Sequence, residues 1–482
     1  MADANSSDKN ELIEPDQIDY GSTTEEEIPT KSLEEMYTII GVGKAQYIYW
    51  IFLSVICLFD TAEMVVISTI IPLLRCEWGL NIVWETLINT NVYFFSALGG
   101  ALFAKLPDIY GRKKMLLISL AFLFIATSSS ALAQNKLQFF LVRCIVGLCM
   151  GIIFPTCIAF STEITKSSHR EVGPMSIVFF ATMGSFLTAV LAYLLLNFIG
   201  WRWFILVMVS PVLVCFLVLM CYLPESPRYL VVSGRNKEAL EAFHQMAQLN
   251  NTSLPEQINI VVHSVQDLGS IADIMKPDFR RETILLSIMY FGNLLIIFGT
   301  LVFVPLALYS GFCGGQGDPP LHKCVKIQQD SLLLLSIITF AAALSGFLGY
   351  AAAMTLGRNV SFKIFSTCSF VVTLFLFKCF SKLVTVGLFF SIKLLQNAHN
   401  TVSLIVVPEL YPTAFRNTAL GFINSWGKLG GVVGAGAVYA LYYYRPILVV
   451  IMFSGSALLV MVSSWLWNLE TQKVIMRDVR EE

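Results

Sequence analysis

Hydrophobic residues along the chain fall into twelve long runs separated by polar stretches. Most runs reach or exceed the ~20 apolar residues that a helix needs to cross the hydrocarbon core of a bilayer. The longest polar stretch between runs, residues 224–282, divides them into six and six. The pattern predicts an all-α membrane protein with twelve transmembrane helices in two six-helix bundles. The runs span residues 45–73, 86–104, 115–133, 137–160, 174–199, 201–223, 283–309, 331–354, 362–377, 383–407, 419–444 and 446–467.

The same pattern sets the expected domain organisation. Residues 1–44 are polar and acidic, without the apolar run of a secretory signal peptide, and they predict a disordered tail. We expect an N-terminal bundle over 45–223, a central loop over 224–282, a C-terminal bundle over 283–467 and a short tail over 468–482.

Composition agrees with a membrane protein and argues against other classes. Hydrophobic residues make up 56% of the chain and charged residues only 13%, which is about half the charged fraction of soluble domains. The formal net charge of -1 gives no electrostatic support for a nucleic-acid partner. The sequence lacks nucleophile-elbow, phosphate-loop and HExxH patterns, so we expect no enzyme, no cofactor and no metal site. The lipid bilayer is the first expected partner.

Lysine and arginine in the loops predict the orientation. Fifteen lie in the loops that follow even-numbered runs, against eight in the loops on the other side. Because cytosolic loops carry the excess of positive charge, we expect both termini and the central loop to be cytosolic. Cys313 and Cys324 then lie in an outer loop after the seventh run, where a disulfide would close a short flexible segment in an oxidising compartment. The alternative is two unpaired thiols.

The loop between the second and third runs carries Asp108, Gly111 and Arg112. Gly111 permits a tight turn. Asp108 and Arg112 can pair with each other or with a neighbouring helix end.

Charges at equal spacing follow the fourth and tenth runs. Glu163 and Arg170 are seven residues apart, and so are Glu409 and Arg416, which indicates a repeat between the two halves. The alternative for charges at a membrane edge is that they only anchor the orientation.

Four motifs are spread over the chain: Gly111-Arg112-Lys113-Lys114, Arg143-x-x-x-Gly147-x-x-x-Gly151, Pro224-Glu225-Ser226-Pro227-Arg228 and Pro408-Glu409-Leu-Tyr-Pro412-Thr-x-x-Arg416. Together they resemble the motifs of the major facilitator superfamily of transporters. Within that superfamily, Phe59-Asp60-Thr-Ala-Glu63-Met64 and Arg75-Cys76-Glu77-Trp78 resemble the synaptic vesicle 2-related proteins, which are close to the organic-ion carriers. The resemblance implies a twelve-helix fold that works by alternating access.

The resemblance also implies that charged loops on the cytosolic face lock the outward-open state through charge contacts between the two halves. The chain departs from the pattern at Ala104, where glycine is usual, and at Ala353, where an acid is usual, so we expect Arg358 to lack its usual partner. The implied gating residues are Asp108, Gly111, Arg112, Glu163, Arg170, Glu225, Arg228, Arg358, Glu409 and Arg416.

Charges inside the runs are the candidates for mechanism, because each is costly in hydrocarbon unless paired or hydrated. Asp60 and Glu63 lie three residues apart on one face of the first helix, and Arg143 is their natural partner. Their resemblance to residues of proton-coupled sugar carriers implies that Asp60 and Arg143 couple protonation to the conformational change. The alternative is a structural buried ion pair.

The second half contributes Lys393, Asn397 and Asn400 at helical spacing on the tenth helix, and Lys428 on the eleventh. By resemblance, Lys428 stands where organic-anion carriers have a cation, which favours an anionic substrate. The alternative is that its side chain reaches to a membrane interface. His399 is a proton group or, more commonly for a lone histidine, a hydrogen-bonded packing residue.

Two functions follow from these features. The first is a secondary transporter of a small organic anion, driven by a proton gradient or by another ion. The second is a non-transporting vesicle protein of the same fold that acts as a binding or trafficking partner. Retention of charge in the runs favours transport, because a scaffold gains nothing from charge in a cavity.

A segment of the acidic tail predicts the location. Asp8-Lys-Asn-Glu-Leu12-Ile13 fits the acidic dileucine signals that sorting adaptors bind. We therefore expect a vesicle or endosomal membrane, with the plasma membrane as the alternative. An idle acidic tail is the other interpretation of this segment.

Overall fold

The computed structural model describes residues 30–103, 105–166, 169, 172–254, 259–261, 271–310, 328–378, 380–411 and 416–470. Arg170, Cys313 and Cys324 lie outside these residues, and so does the segment 8–13. The predicted disulfide and the sorting signal therefore remain predictions.

Helices account for nearly all of the described chain. Twelve of them are long and coincide with the twelve hydrophobic runs: α2, α3, α5 to α8 and α12 to α17. The predicted all-α membrane fold is confirmed. The helices are α1 (Leu33–Ile40), α2 (Lys44–Trp78), α3 (Ile82–Phe103), α4 (Leu106–Tyr110), α5 (Arg112–Ala131), α6 (Lys136–Glu163), α7 (Val172–Leu191), α8 (Asn197–Tyr222), α9 (Pro227–Val232), α10 (Asn236–Leu249), α11 (Ile271–Ile274), α12 (Pro277–Ser310), α13 (Gln329–Thr355), α14 (Arg358–Phe375), α15 (Lys382–Leu410), α16 (Arg416–Tyr444) and α17 (Pro446–Leu466).

Hydropathy supports membrane insertion. Within the described ranges, seven helical stretches are long and apolar enough to cross a membrane, and one of them, Val172–Tyr222, is 51 residues long and holds two of the long helices. Gly200 breaks this stretch with φ 75° and ψ 169°, a backbone conformation that glycine adopts at little cost. The break lies between the predicted runs that end at 199 and begin at 201.

The two halves use the same helix pairs. In the first half α2 packs on α7 and α3 on α6, and in the second half α12 packs on α16 and α13 on α15. The close approach depends on small residues. A Cβ at Gly184 would lie 2.1 Å from the Leu58 carbonyl oxygen, and a Cβ at Gly430 would lie 2.1 Å from that of Phe291. The halves meet through α3 against α16 and α7 against α13.

The N-terminal segment is more ordered than its composition suggests. Strand β1 (Thr30–Ser32) pairs in parallel with β2 (Asn259–Val261) of the central loop. Helix α1 follows, capped by reciprocal hydrogen bonds between Ser32 and Glu35. The prediction of a disordered tail over 1–44 is wrong for residues 30–40, and the earlier residues lie outside the described ranges.

Candidate functional site

Glu63 and Arg143 form a buried ion pair inside the first bundle. Arg143 Nη1 donates to Glu63 Oε2 at 2.9 Å, and the two side chains are 0% and 1% exposed for Arg143 and Glu63 respectively. The guanidinium also lies over the Phe139 ring, 5.2 Å from its centroid. Helices α2 and α6 supply the two charges, so the pair links two elements of the same half.

Asp60 lies one turn earlier on α2 and is 2% exposed. Its Oδ1 has no hydrogen-bond partner among the described residues. Arg143, the expected partner of both acids, pairs with Glu63. The opposite charge that acts on Asp60 is Lys428 of the second half, which lies within electrostatic range.

Lys428 reaches from α16 across the interface between the halves. Its Nζ donates to the Ser96 carbonyl oxygen of α3 at 3.4 Å. A Cβ at Gly100 would lie 2.6 Å from that Nζ, so the glycine leaves the space that the ammonium occupies. The ammonium therefore points into the interface between the bundles, where it lies within electrostatic range of Asp60.

Lys393 and Asn397 lie together on α15. Lys393 is 4% exposed, and its Nζ donates to the Ile297 carbonyl oxygen of α12 at 3.0 Å. Asn397 Nδ2 donates to the Lys393 carbonyl oxygen at 2.8 Å. One turn before Ile297, the buried Asn293 has no partner in the described chain for either polar atom of its side chain. The sequence analysis did not single out Asn293. The signal that could have identified it is an amide side chain inside an apolar run.

His399 lies in the core of the second half. Its Nε2 is 3.3 Å from Ser464 Oγ, and its ring centroid is 5.0 Å from that of Phe362. Because it is 1% exposed and packs on an aromatic ring, the geometry favours the packing role.

The Gly111 loop holds a compact ion-pair network. Arg112 Nη2 lies 2.7 Å from Asp108 Oδ1 and 2.8 Å from Glu163 Oε1. Gly111 has φ 103°, and a Cβ there would lie 2.4 Å from Glu225 Oε2. The three predicted acids thus lie around one turn. Among the described residues their contacts stay within the first bundle and the start of the central loop, whereas the resemblance implies contacts between the halves.

Residues 225–228 complete this network. Glu225 Oε1 accepts hydrogen bonds from the backbone N–H groups of Lys113 and Ser226, at 2.9 and 3.0 Å. Ser226 Oγ donates to Glu163 Oε2 at 2.6 Å. Arg228 lies within electrostatic range of Glu163. Ser226 was visible in its motif but was not assigned a role from the sequence.

The second half repeats the network with different residues. Arg358 Nη2 donates to Glu409 Oε1 at 2.8 Å, and its Nη1 donates to the Ala353 carbonyl oxygen at 3.0 Å. Glu470 accepts hydrogen bonds from the backbone N–H groups of Arg358 and Asn359. Arg358 does lack its usual acid at position 353, but Glu409 and the Ala353 backbone carbonyl take the place of that acid. Arg416 begins α16, but its side chain is outside the described part.

Comparisons with known proteins agree with this architecture. A family model for sugar (and other) transporters matches residues 48–297, just over half of the chain. The chain is 27% identical over 481 residues to the synaptic vesicle 2-related protein of Pongo abelii, covering 95% of this chain and 86% of the relative. It is 27% identical over 475 residues to organic cation/carnitine transporter 7 of Arabidopsis thaliana, covering 88% of this chain and 92% of the relative.

Solved structures show the same fold. The D-xylose-proton symporter superposes with a TM-score of 0.66 at 15% identity, covering 89% of this chain and 98% of that one. The xylose transporter XylE from E. coli, in an inward-open conformation, superposes with a TM-score of 0.65 at 16% identity, covering 90% and 98%. The chain therefore belongs to the sugar (and other) transporter family and is a multi-pass membrane transporter of the major facilitator superfamily.

Proposed function

We propose that the protein is a secondary active transporter of a small organic anion and that it works by proton-coupled alternating access. The observation that carries this proposal is the position of Lys428 and Asp60. They are opposite charges on opposite bundles, and they approach each other at the interface that alternating access must open and close.

An anionic substrate suits the ammonium group of Lys428. An ammonium group has three donors, and Lys428 Nζ makes a long hydrogen bond of 3.4 Å to a backbone carbonyl. A carboxylate, sulfate or phosphate group on a substrate would supply shorter, charge-assisted bonds. Lys393 adds a second buried amine in the same half, where it donates to the Ile297 carbonyl oxygen.

Asp60 supplies the proton step of the proposal. While Asp60 is ionised, its charge attracts Lys428 and competes with an anionic substrate. Protonation removes that competition, so a proton on Asp60 and an anion on Lys428 favour each other. This reciprocity is what linkage requires of a symporter. The likeness in fold to a D-xylose-proton symporter is consistent with proton coupling.

One relative is named an organic cation/carnitine transporter, which makes cations the competing substrate class. A cation would have to bind beside Lys428, and the repulsion between like charges in a dry site would oppose it. We therefore expect the sign of the charge at residue 428 to determine whether anions or cations are transported.

The location and orientation are also part of the proposal. The relatives include synaptic vesicle 2-related proteins, and the Leu12-Ile13 segment fits an adaptor signal in a cytosolic tail. We propose a vesicle or endosomal membrane with both termini cytosolic. Replacing Leu12 and Ile13 by alanine should move the protein to the cell surface, as seen by surface biotinylation. An unaltered distribution would remove the sorting role and leave the transport proposal intact.

Uptake by proteoliposomes tests the proposed function. Purified full-length protein is reconstituted and offered radiolabelled organic anions and organic cations, with and without an inward proton gradient. We expect saturable uptake of one or more anions that the gradient increases. Absence of uptake for every compound would favour the non-transporting alternative, and uptake of cations alone would contradict the assignment to anions.

A further inference from the structure

A second buried ion pair lies where α2 ends and α3 begins, at the predicted outer face. The Arg75 guanidinium donates to both oxygens of the Glu85 carboxylate, through Nε to Oε1 and through Nη2 to Oε2 at 2.8 Å. Arg75 is 8% exposed and Glu85 is 1% exposed. The turn at Gly79, with φ 55°, joins the two helix ends, so both charges belong to the first bundle.

One tyrosine of the second bundle lies near this pair. Tyr439 of α16 is 1% exposed, and its hydroxyl lies beside the Asn89 side chain of α3. The same hydroxyl lies within electrostatic range of Arg75 and Glu85. The pair therefore faces the other half of the molecule.

The two bundles are in contact close to this ion pair. A Cβ at Gly436 of α16 would lie 3.2 Å from Thr90 Oγ1 of α3. One turn further along α3, the ring centroid of Tyr93 is 5.0 Å from that of Phe298 of α12. In this structure the interface between the halves is closed at the end that holds Arg75 and Glu85.

The energetics of such a pair depend on whether the interface is closed or open. Two charges removed from water are costly, and their attraction offsets that cost only while both are present. If one is removed, the remaining charge is buried without its opposite charge when the bundles close, but it is hydrated when they part. Loss of one partner therefore disfavours the closed arrangement selectively.

We propose that Arg75, Glu85 and Tyr439 form an outer latch, which keeps this end of the interface closed as long as the two charges cancel. The latch rests on the alternating-access part of the proposed function. It makes no use of substrate, so its test is independent of anion selectivity. None of its residues belongs to the Asp60 and Lys428 site.

A cysteine at Thr90 reports on the opening of the latch. Thr90→Cys is introduced together with Cys76→Ser, because Cys76 is an exposed native thiol beside the latch. The purified full-length protein is labelled with a hydrophilic maleimide, and the rate without the added cysteine is subtracted. Arg75→Met and Glu85→Gln should each raise the labelling rate by about tenfold or more, because the closed state then holds an uncompensated charge.

Two controls separate the latch from general loosening. The double variant Arg75→Met with Glu85→Leu has no charge to compensate, so its labelling rate should stay near that of the parent. The Arg202–Glu77 pair, 2.6 Å apart, lies at the same face but is exposed, with side chains 43% and 36% accessible. Arg202→Met should therefore leave the rate unchanged.

The latch would be overturned by any of three results. The first is parental labelling in both single variants, and the second is equal acceleration by Arg202→Met. The third is a double variant that labels as fast as the single ones. Size-exclusion profiles of all variants must match that of the parent. If Arg75→Met does not fold, the test uses Glu85→Gln, which keeps the shape of the side chain.

Discussion

The buried charges around Asp60 are of two kinds, and the contrast between them separates structure from function. Glu63 and Arg143 lie on α2 and α6 of one bundle, in contact at 2.9 Å. Asp60 and Lys428 lie on different bundles and interact at longer range. A pair inside one bundle keeps its geometry when the bundles move, whereas charges on opposite bundles change their relation. We infer that the first pair stabilises the fold and that the second serves the transport cycle.

Removal of the Glu63 charge should have the largest effect on the stability of the protein. Glu63→Gln leaves the fully buried Arg143 without its counter-charge, which should destabilise the protein by about 3–5 kcal/mol. Thermal unfolding in detergent measures this. Asp60→Asn is the matched control, since Asp60 also lies in α2 and is buried but makes no direct ion pair within the described ranges. Equal destabilisation by both substitutions would break the comparison.

Removal of the Arg358–Glu409 ion pair in the second half should also destabilise the protein, but by less. Arg358→Met leaves Glu409, whose side chain is 12% exposed, without its ion-pair partner. We expect a loss of about 1–3 kcal/mol in unfolding free energy. Arg235→Met removes an exposed pair with Glu238, both side chains about half accessible, and should cost less than about 1 kcal/mol. A loss for Arg235→Met as large as that for Arg358→Met would contradict burial as the cause.

Asp60 should affect transport and leave stability almost unchanged. Asp60→Asn should reduce gradient-driven accumulation of substrate by about tenfold or more, because a neutral side chain cannot carry the proton. Exchange of labelled for unlabelled substrate should persist, since exchange needs no net proton movement. Both activities are measured in the same proteoliposomes. Persistent accumulation in this variant would place Asp60 among the structural charges with Glu63.

The sequence predicted the helices well because their signal is local. Twelve apolar runs correspond to twelve long helices, and the break at Gly200 lies where two runs meet. Helix α1 was missed because the acidic composition of its neighbourhood predicts disorder. The Ser32 and Glu35 capping box was the local signal that indicated a helix start there.

The partners of buried charges were harder to predict. Asp60 and Glu63 share one face of α2, and only the packing of α2 on α6 decides that Glu63 meets Arg143. Likewise, Glu409 replaces the acid missing near Arg358 because helix packing brings residues 51 positions apart together. Arg75 and Glu85 were accessible to sequence reasoning, since a short turn joins their helices, but Arg75 was noted only within a motif and Glu85 was not singled out.

The most direct test of the central claim reverses the charge that crosses the interface. Wild-type protein and Lys428→Asp are reconstituted in parallel, and uptake of the best anion and of matched organic cations is measured. Lys363→Gln, a charge change on α14 where the ammonium lies over the Trp465 ring, is the control and should transport like the wild type. We predict that Lys428→Asp lowers anion uptake by about tenfold or more and admits cations. Unchanged anion uptake and selectivity in Lys428→Asp would contradict the account.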